Sequence, residues 1–189
     1  MDPAFRAFLG RVVAALDAAG VDYMVVGSLA SSVHGEPRST MDLDVVARLD
    51  AESVRGFAAA FDPADFYLDL ETAEEAVRHR GMFNVIEMAS SWKADIIVPR
   101  STRHARAEFP RRVQVTIGDV ATWTASPEDT VIAKMRWWQP GASERQLEDA
   151  AGIVRVQGAS LDREYVARWV DELDLATAWE RVTALCAAR

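Results

Sequence analysis

The sequence predicts an α/β (α+β) protein in which a sheet flanked by helices precedes a C-terminal helical bundle. Up to about residue 125, short apolar runs with strand-like alternation are interspersed with segments of helical periodicity. From Ser126 onward, apolar and charged residues recur at helical spacing to the end. We therefore predict an α/β domain over residues 1–125 and a helical domain over residues 126–189.

The elements can be assigned in chain order. Asp2-Pro3 starts a first helix, which Gly20 ends. Strands are predicted at about 22–26, 42–48, 82–88 and 92–98, and helices at about 28–34, 51–60 and 71–80. Alternating runs on both sides of Gly118-Asp119 favour a hairpin. Further helices are predicted at about 127–138, 144–156, 162–172 and 174–187.

Residues 22–46 carry the most informative pattern. Gly27-Ser28 ends an apolar run and precedes a short helix, and Asp42 and Asp44 open the next run. Strand side chains alternate, so the two aspartates point to the same side. Adjacent carboxylates repel each other, and a divalent cation with oxygen ligands relieves that repulsion. The alternative is a solvated strand end that holds no metal.

Other residues of this segment suit an anion. A helix that starts at Gly27-Ser28 offers backbone N–H groups and a hydroxyl to phosphate oxygens. Arg38 and Thr40, in the loop before Asp42, add a cation and a second hydroxyl. Together with the aspartates, these residues predict a metal-dependent site that handles nucleotides.

These residues resemble the polymerase-beta-type nucleotidyltransferase superfamily. Within it, the Arg-x-Thr-x-Asp-x-Asp form that begins at Arg38 resembles the AbiEii-type branch, known from toxin–antitoxin and phage-defence systems. The resemblance covers about residues 22–150 and implies a nucleotidyltransferase-fold mixed sheet. It also implies a third carboxylate on a following strand, where Asp95 stands. The later motifs of the branch correspond to Ser126-Pro127-Glu128-Asp129, Lys134, and Arg145 with Asp149.

The sequence departs from the superfamily at one point. Its shortest members carry Ala-Arg-Gly directly after the Gly-Ser pair, whereas this chain has Leu29-Ala30-Ser31-Ser32. The arginine of that phosphate loop is therefore absent, and Arg38 is the candidate substitute.

The resemblance implies transfer of a nucleoside monophosphate from an NTP, bound with Mg²⁺ or Mn²⁺, to an acceptor hydroxyl. The predicted metal ligands are Asp42, Asp44 and Asp95, which with Lys134 form the predicted catalytic set. The predicted NTP-binding residues are Gly27, Ser28, Arg38, Thr40 and Lys134. Asp149 is expected to orient Lys134, although the lysine could equally be a surface residue paired with Asp149. Trp137-Trp138 could stack a base or serve as packing anchors.

Two features bear on the acceptor and point in different directions. Residues 100–112 carry five arginines and one glutamate, and Arg100, Arg103 and Arg106 are candidate contacts to RNA, by resemblance a tRNA end. The alternative is a solvated loop. The formal charge of −8 disfavours general affinity for nucleic acid and suits a small cationic acceptor such as an aminoglycoside-like antibiotic. Protein hydroxyls are a third candidate.

Non-catalytic roles also stay open. The chain could be a nucleotide-binding or interaction module, or a toxin silenced by an antitoxin partner. The three carboxylates and Gly-Ser weigh against a degenerate site, because a binding role alone would not require them.

Composition narrows the remaining choices. Cys186 is the only cysteine, which excludes intramolecular disulfides and thiolate zinc clusters. Three scattered histidines do not favour a histidine-based metal site, so oxygen ligands are expected. No apolar run approaches the length of a membrane span and the N-terminus lacks signal-peptide organisation, so we expect a cytoplasmic protein.

Overall fold

The computed structural model describes residues 1–38, 40, 42–138 and 143–188. Within those ranges, the strands are β1 (Tyr23–Val26), β2 (Asp42–Ala47), β3 (Phe66–Tyr67), β4 (Met82–Glu87), β5 (Lys93–Ile97), β6 (Val113–Ile117) and β7 (Val120–Thr124). They form one mixed sheet in the order β3-β4-β5-β2-β1-β7-β6. The pairs β2–β5 and β1–β7 are parallel, and the other neighbouring pairs are antiparallel. The predicted mixed sheet is confirmed.

Helices flank the sheet and form the C-terminal part. They are α1 (Pro3–Ala18), α2 (Gly27–His34), α3 (Ser53–Ala58), α4 (Leu70–His79), α5 (Arg103–Glu108), α6 (Pro127–Trp137), α7 (Arg145–Gln157), α8 (Arg163–Glu172) and α9 (Ala176–Ala187). Two short 3₁₀ helices span Phe109–Arg111 and Gly158–Ser160. Eight of the nine helices in the described ranges lie where the sequence predicts them.

The ninth helix, α5, corrects the alternative of a solvated loop over residues 100–112. Thr102 caps it through a hydrogen bond from the Ala105 N–H. His104 and Phe109 are buried although the segment is rich in arginine. Phe109 packs with Met24 and Ala125, so tertiary packing rather than an apolar repeat places this helix.

The two faces of the sheet are covered differently. Alternate residues of the central strands, among them Leu43, Val45 and Ile96, enter a core with α1, α3 and α4. The opposite face is partly covered by the segment that follows α5, through Phe109. The carboxylates of β2 and β5 lie on this second face, because they alternate with the core residues.

The C-terminal helices build a second core around Ile132, Leu147 and Val166. This part joins the sheet through α2, which packs on α6 and α7. Gly35 permits the approach, since a Cβ there would lie 2.8 Å from the backbone nitrogen of Ile153. Among the helices in the described part of the chain, none is both long enough and apolar enough to cross a membrane.

Candidate active site

Parallel pairing of β2 with β5 brings the three predicted carboxylates together. Asp44 lies directly opposite Asp95, and Asp42 lies opposite Lys93. The intervening residues Leu43 and Ala94 are fully buried on the other face. The carboxylates therefore share one face of the sheet, as the alternation predicts.

The negative charge of the three carboxylates is only partly compensated. Burial raises the pKa of Asp44 above its ordinary value, and the charges of Asp95 and Asp42 raise it further. The ammonium groups of Lys134 and Lys93 offset part of this rise. Such an oxygen-only set fits a hard divalent cation, which would relieve the repulsion that these groups now experience.

Asp95 is held by two neighbours that the sequence reasoning missed as site residues. Asn84, directly opposite on β4, donates an amide hydrogen bond of 2.5 Å to Asp95 Oδ1. Lys93 donates from Nζ to Asp95 Oδ2 at 3.1 Å, and this bond is the main cause of the raised pKa of Lys93. Both could have been found from the same alternation, because Lys93 lies two positions before Asp95 and Asn84 is a polar residue between two buried residues of β4.

Gly27 sets the distance between helix α2 and the carboxylates. Its φ is +66°, and a Cβ at this position would lie 2.0 Å from Asp44 Oδ2. Only glycine permits this conformation and this approach together. The residue before the helix, Val26, makes no side-chain capping hydrogen bond. The first N–H groups of α2 are thus positioned beside Asp44 as donors for an anion.

A cluster of cations lies on the other side of Ser28. Arg38 donates from Nη2 to Ser28 Oγ at 2.6 Å and to Asp149 Oδ2 at 2.9 Å. Lys134 donates from Nζ to the same oxygen of Asp149 at 2.8 Å. The Lys134 side chain is only 6% exposed, so the interpretation of a surface lysine is wrong, although its pairing with Asp149 is present. The buried Nε of Arg38 makes no hydrogen bond with any described residue.

A binding site for phosphate could form at the group of Arg38, Asp149 and Lys134. Two cations share one carboxylate, which leaves a net positive charge beside the start of α2. The unused Nε donor of Arg38 adds an unsatisfied group that could donate to an anion. Thr40, by contrast, donates to the backbone oxygen of Asp42 at 3.4 Å, and its predicted role in NTP binding stays a prediction.

A cavity of about 210 Å³ lies between the sheet and the helical part. Gly27, Ser28 and Asp44 line one side, and Lys134 and the 77% exposed Trp137 of α6 line the other. Trp138, in contrast, is partly buried against the second core. The indole of Trp137 is therefore the one of this pair that a nucleobase could reach.

Glu108 of α5 also lines this cavity, and the sequence reasoning did not select it. Burial raises its pKa, and the nearby Asp129 raises it further, while His104 and Arg136 lower it. Helical spacing could have flagged Glu108, because it lies four residues after His104.

The arginines of residues 100–112 divide into two groups. Arg111 pairs with Glu128 and Arg112 pairs with Asp22, so both stabilise the fold. Arg100, Arg103 and Arg106 are exposed, and Arg103 pairs with Glu172. The predicted RNA contact of these three remains a prediction.

Similarity to known proteins is found by comparing structures, whereas comparison of sequences finds none. No protein-family model matches the chain, and no curated protein matches it in sequence. The structure of ANT(2″)-Ia in complex with adenylyl-2″-tobramycin matches with a TM-score of 0.59 at 12% identity, covering 94% of this chain and 98% of that one. An antigenic nucleotidyltransferase-like protein from Paracoccidioides brasiliensis matches with a TM-score of 0.57 at 15% identity, covering 96% and 94%. The lincomycin-bound lincosamide antibiotic adenylyltransferase LnuA matches with a TM-score of 0.52 at 10% identity, covering 81% and 96%.

These likenesses show a nucleotidyltransferase fold, which confirms the predicted fold class. At identities of 10 to 15%, they concern the fold and not the chemistry of individual residues. The AbiEii-type branch stays a prediction, as does the domain division at residue 125.

Proposed function

We propose that the protein is a nucleotidyltransferase that moves a nucleoside monophosphate from an NTP to an acceptor hydroxyl. The observation that carries this proposal is the alignment of Asp42, Asp44 and Asp95 on one face of the sheet, directly beside the uncapped start of α2. The cations that meet at Asp149 complete a site with separate regions for metal and phosphate.

Each region has a part in the proposed reaction. Asp42, Asp44 and Asp95 would hold Mg²⁺ or Mn²⁺, which supplies charge stabilisation for the triphosphate and for the attacking oxygen. The α2 N–H groups and Ser28 bind phosphate oxygens, and Lys134 neutralises the charge that develops on pyrophosphate. The acceptor oxygen bonds to the α-phosphorus, the bond to pyrophosphate breaks, and the hydroxyl proton passes to Asp95.

Trp137 is the proposed platform for the base of the NTP. It is largely exposed and lines the same cavity as Lys134, three residues earlier on the helix. A planar indole stacks on any base, so this contact would contribute affinity without selecting one nucleotide.

Two acceptor classes have support, each from a different observation. Exposed Arg100, Arg103 and Arg106 favour RNA, with a toxin held by an antitoxin partner as the matching biological role. The net charge of −8 favours a small cationic acceptor. Of the proteins with a similar fold, LnuA is lincomycin-bound and ANT(2″)-Ia is in complex with adenylyl-2″-tobramycin. Glu108 adds a partly buried acid to the same cavity.

The deciding experiment is transfer of α-labelled NTP. Each of the four NTPs is incubated with Mg²⁺ and either total RNA or a panel of aminoglycosides and lincosamides. We expect label in one acceptor class, and a loss of about 10³-fold or more, equivalent to about 4 kcal/mol, in the Asp42→Asn, Asp44→Asn variant. Glu75→Gln, on the helix that covers the opposite face, is the matched control. Transfer that survives the double substitution would refute the proposed site.

A further inference from the structure

A second cluster of ionisable side chains lies where α5 meets α6. His104 and Glu108 are one helical turn apart on α5, and Asp129 is in the first turn of α6. One potential ligand atom from each of the three lies within 4.8 Å of the others. Their positions follow from the packing of α5, which sequence periodicity does not predict.

His104 is buried without a hydrogen bond. It is 2% exposed, and neither ring nitrogen forms a hydrogen bond within the described chain. A carboxylate oxygen lies beside each ring nitrogen, Glu108 Oε2 at 3.5 Å from Nδ1 and Asp129 Oδ1 at 3.4 Å from Nε2. A buried donor and acceptor without a hydrogen bond is costly, and both carboxylates lie at the outer limit of hydrogen-bond distance, so the ring can accept a further partner.

The surroundings carry more negative than positive charge. Glu108, Glu128 and Asp129 are all less than one-fifth exposed at their side chains. Arg111 bonds to Glu128 at 3.1 Å and lies 3.6 Å from Asp129 Oδ2. The exposed Arg136 reaches Glu108 only electrostatically. Within the described chain, Arg111 is thus the one arginine or lysine that forms an ion pair with these acids, and a divalent ion would restore the balance when His104 is neutral.

We propose that His104, Glu108 and Asp129 bind one divalent transition-metal ion of the zinc type, at a site separate from the carboxylates of the sheet. A tetrahedral ion with bonds of about 2.1 Å places its ligands about 3.4 Å apart. The three ligand atoms now lie within 4.8 Å of one another, with the carboxylates beside different ring nitrogens, so ligation requires both carboxylates to turn toward one nitrogen of His104. The imidazole nitrogen selects zinc over Mg²⁺, which prefers oxygen ligands alone.

The neighbours of the cluster support ligation. Asp129 accepts hydrogen bonds from Tyr165 Oη at 2.7 Å and from Ser126 Oγ at 2.6 Å, which fix its orientation. Ligating carboxylates are usually held in this way. Glu108 and Asp129 also line the cavity that contains Asp44, so a fourth position on the ion would be open to water or substrate. The ion would link α5 to α6 at the wall of the candidate active site.

Zinc binding can be measured independently of nucleotidyl transfer. Chelator-treated protein is dialysed against micromolar Zn²⁺ in excess Mg²⁺, and bound zinc is determined by elemental analysis. We expect about one equivalent of zinc and a higher melting temperature, because the ion binds the folded state. The variant Asp42→Asn, Asp44→Asn, Asp95→Asn should bind zinc equally well. Loss of zinc in this triple variant would place the ion at the sheet and overturn the proposal.

Two further variants test the ligands. His104→Ala and Glu108→Gln should each weaken zinc binding by about 100-fold and remove the rise in melting temperature. His79→Ala, which removes an exposed histidine, is the matched control and should bind as the wild type does. If His104→Ala fails to fold, Glu108→Gln decides, since it keeps the side-chain shape. No zinc on the wild type, or unchanged binding in Glu108→Gln, refutes the site.

Discussion

The candidate site has two parts of opposite charge, which we call the sheet wall (Asp42, Asp44 and Asp95) and the helical wall (Lys134, Asp149 and Arg38). The two walls hold their charge in different ways. On the sheet, Asp42 and Asp44 lie side by side, and burial and like charge raise the pKa of Asp44. Opposite it, Lys134 of α6 and Arg38 of the loop after α2 meet at one oxygen of Asp149. Lys134 lines the cavity that contains Asp44, whereas Arg38 and Asp149 line a neighbouring cavity. The sheet wall therefore gains from binding a cation, whereas the helical wall is already ordered without its ligand.

The two walls therefore differ in how binding of a ligand changes their free energy. Like charges held together lose their repulsion only when a cation arrives, so the sheet wall stores an unfavourable energy that ligation releases. Asp149 instead holds two cations in position for an anion, and its own negative charge cancels only part of their positive charge. Substitutions on the two walls should accordingly differ in sign as well as in size.

The largest effect on the helical wall is expected at Lys134. Lys134→Ala removes a cation that lines the cavity with Ser28 and should lower kcat/KM for the NTP by about 10²- to 10³-fold. Asp149→Asn keeps both cations but loosens their orientation, with an expected loss on the order of 10-fold. The measurement is steady-state transfer at varied NTP, with Asp171→Asn on α8 as an exposed control. An unchanged rate in Lys134→Ala would show that this wall does not contact the triphosphate.

On the sheet wall, we expect removal of the Asp44 charge to increase the stability of the folded protein. Folded Asp44 keeps its proton to higher pH than unfolded Asp44 does, so folding loses stability as the pH rises through the folded pKa of Asp44. In chelator, Asp44→Asn should therefore melt above the wild type at neutral pH, and the difference should vanish below the ordinary aspartate pKa of about 3.9. Thermal melts across pH provide the measurement.

Asp95→Asn is the comparison that sharpens this prediction. Asp95 accepts hydrogen bonds from Asn84 and Lys93, so its replacement removes the carboxylate to which Lys93 donates, and we expect this loss to outweigh the relief of repulsion on Asp44. We expect Asp95→Asn to melt below the wild type under the same conditions. A lower melting temperature for Asp44→Asn as well would show that the sheet wall stores no repulsion.

The sheet wall could be predicted from sequence because its geometry is local. Alternation along one strand suffices to place Asp42 beside Asp44, and a third aspartate in a later apolar run completes the group. The helical wall was only partly predictable. Lys134 and Asp149 are 15 positions apart on successive helices, whereas Arg38 reaches Asp149 across 111 positions, a contact that no local pattern encodes.

Residues 100–112 could not be predicted for a different reason. Their composition is that of an exposed segment, yet α5 forms because His104 and Phe109 find buried positions against distant residues. His104 packs edge-on against Trp169 at 4.7 Å between ring centroids. Tertiary contacts thus override composition here, and with α5 they also produce the cluster of His104, Glu108 and Asp129.

The smallest expected effect concerns the outer surface of α5 and separates the two acceptor classes. Arg103→Glu with Arg106→Glu should weaken binding of an RNA acceptor. The plot of log affinity against log salt concentration should become shallower, by a slope of about 1 for each phosphate that the variant no longer neutralises. KM for the NTP should not change, because neither side chain lines the cavity.

Arg55→Glu with Arg78→Glu is the matched control for this last prediction. These arginines lie on α3 and α4, which cover the face of the sheet opposite to the carboxylates, and they change the net charge equally. If both double variants weaken RNA binding to the same extent, the effect is one of total charge and not of a defined contact. A small cationic acceptor would respond oppositely, since added negative charge near the cleft attracts it.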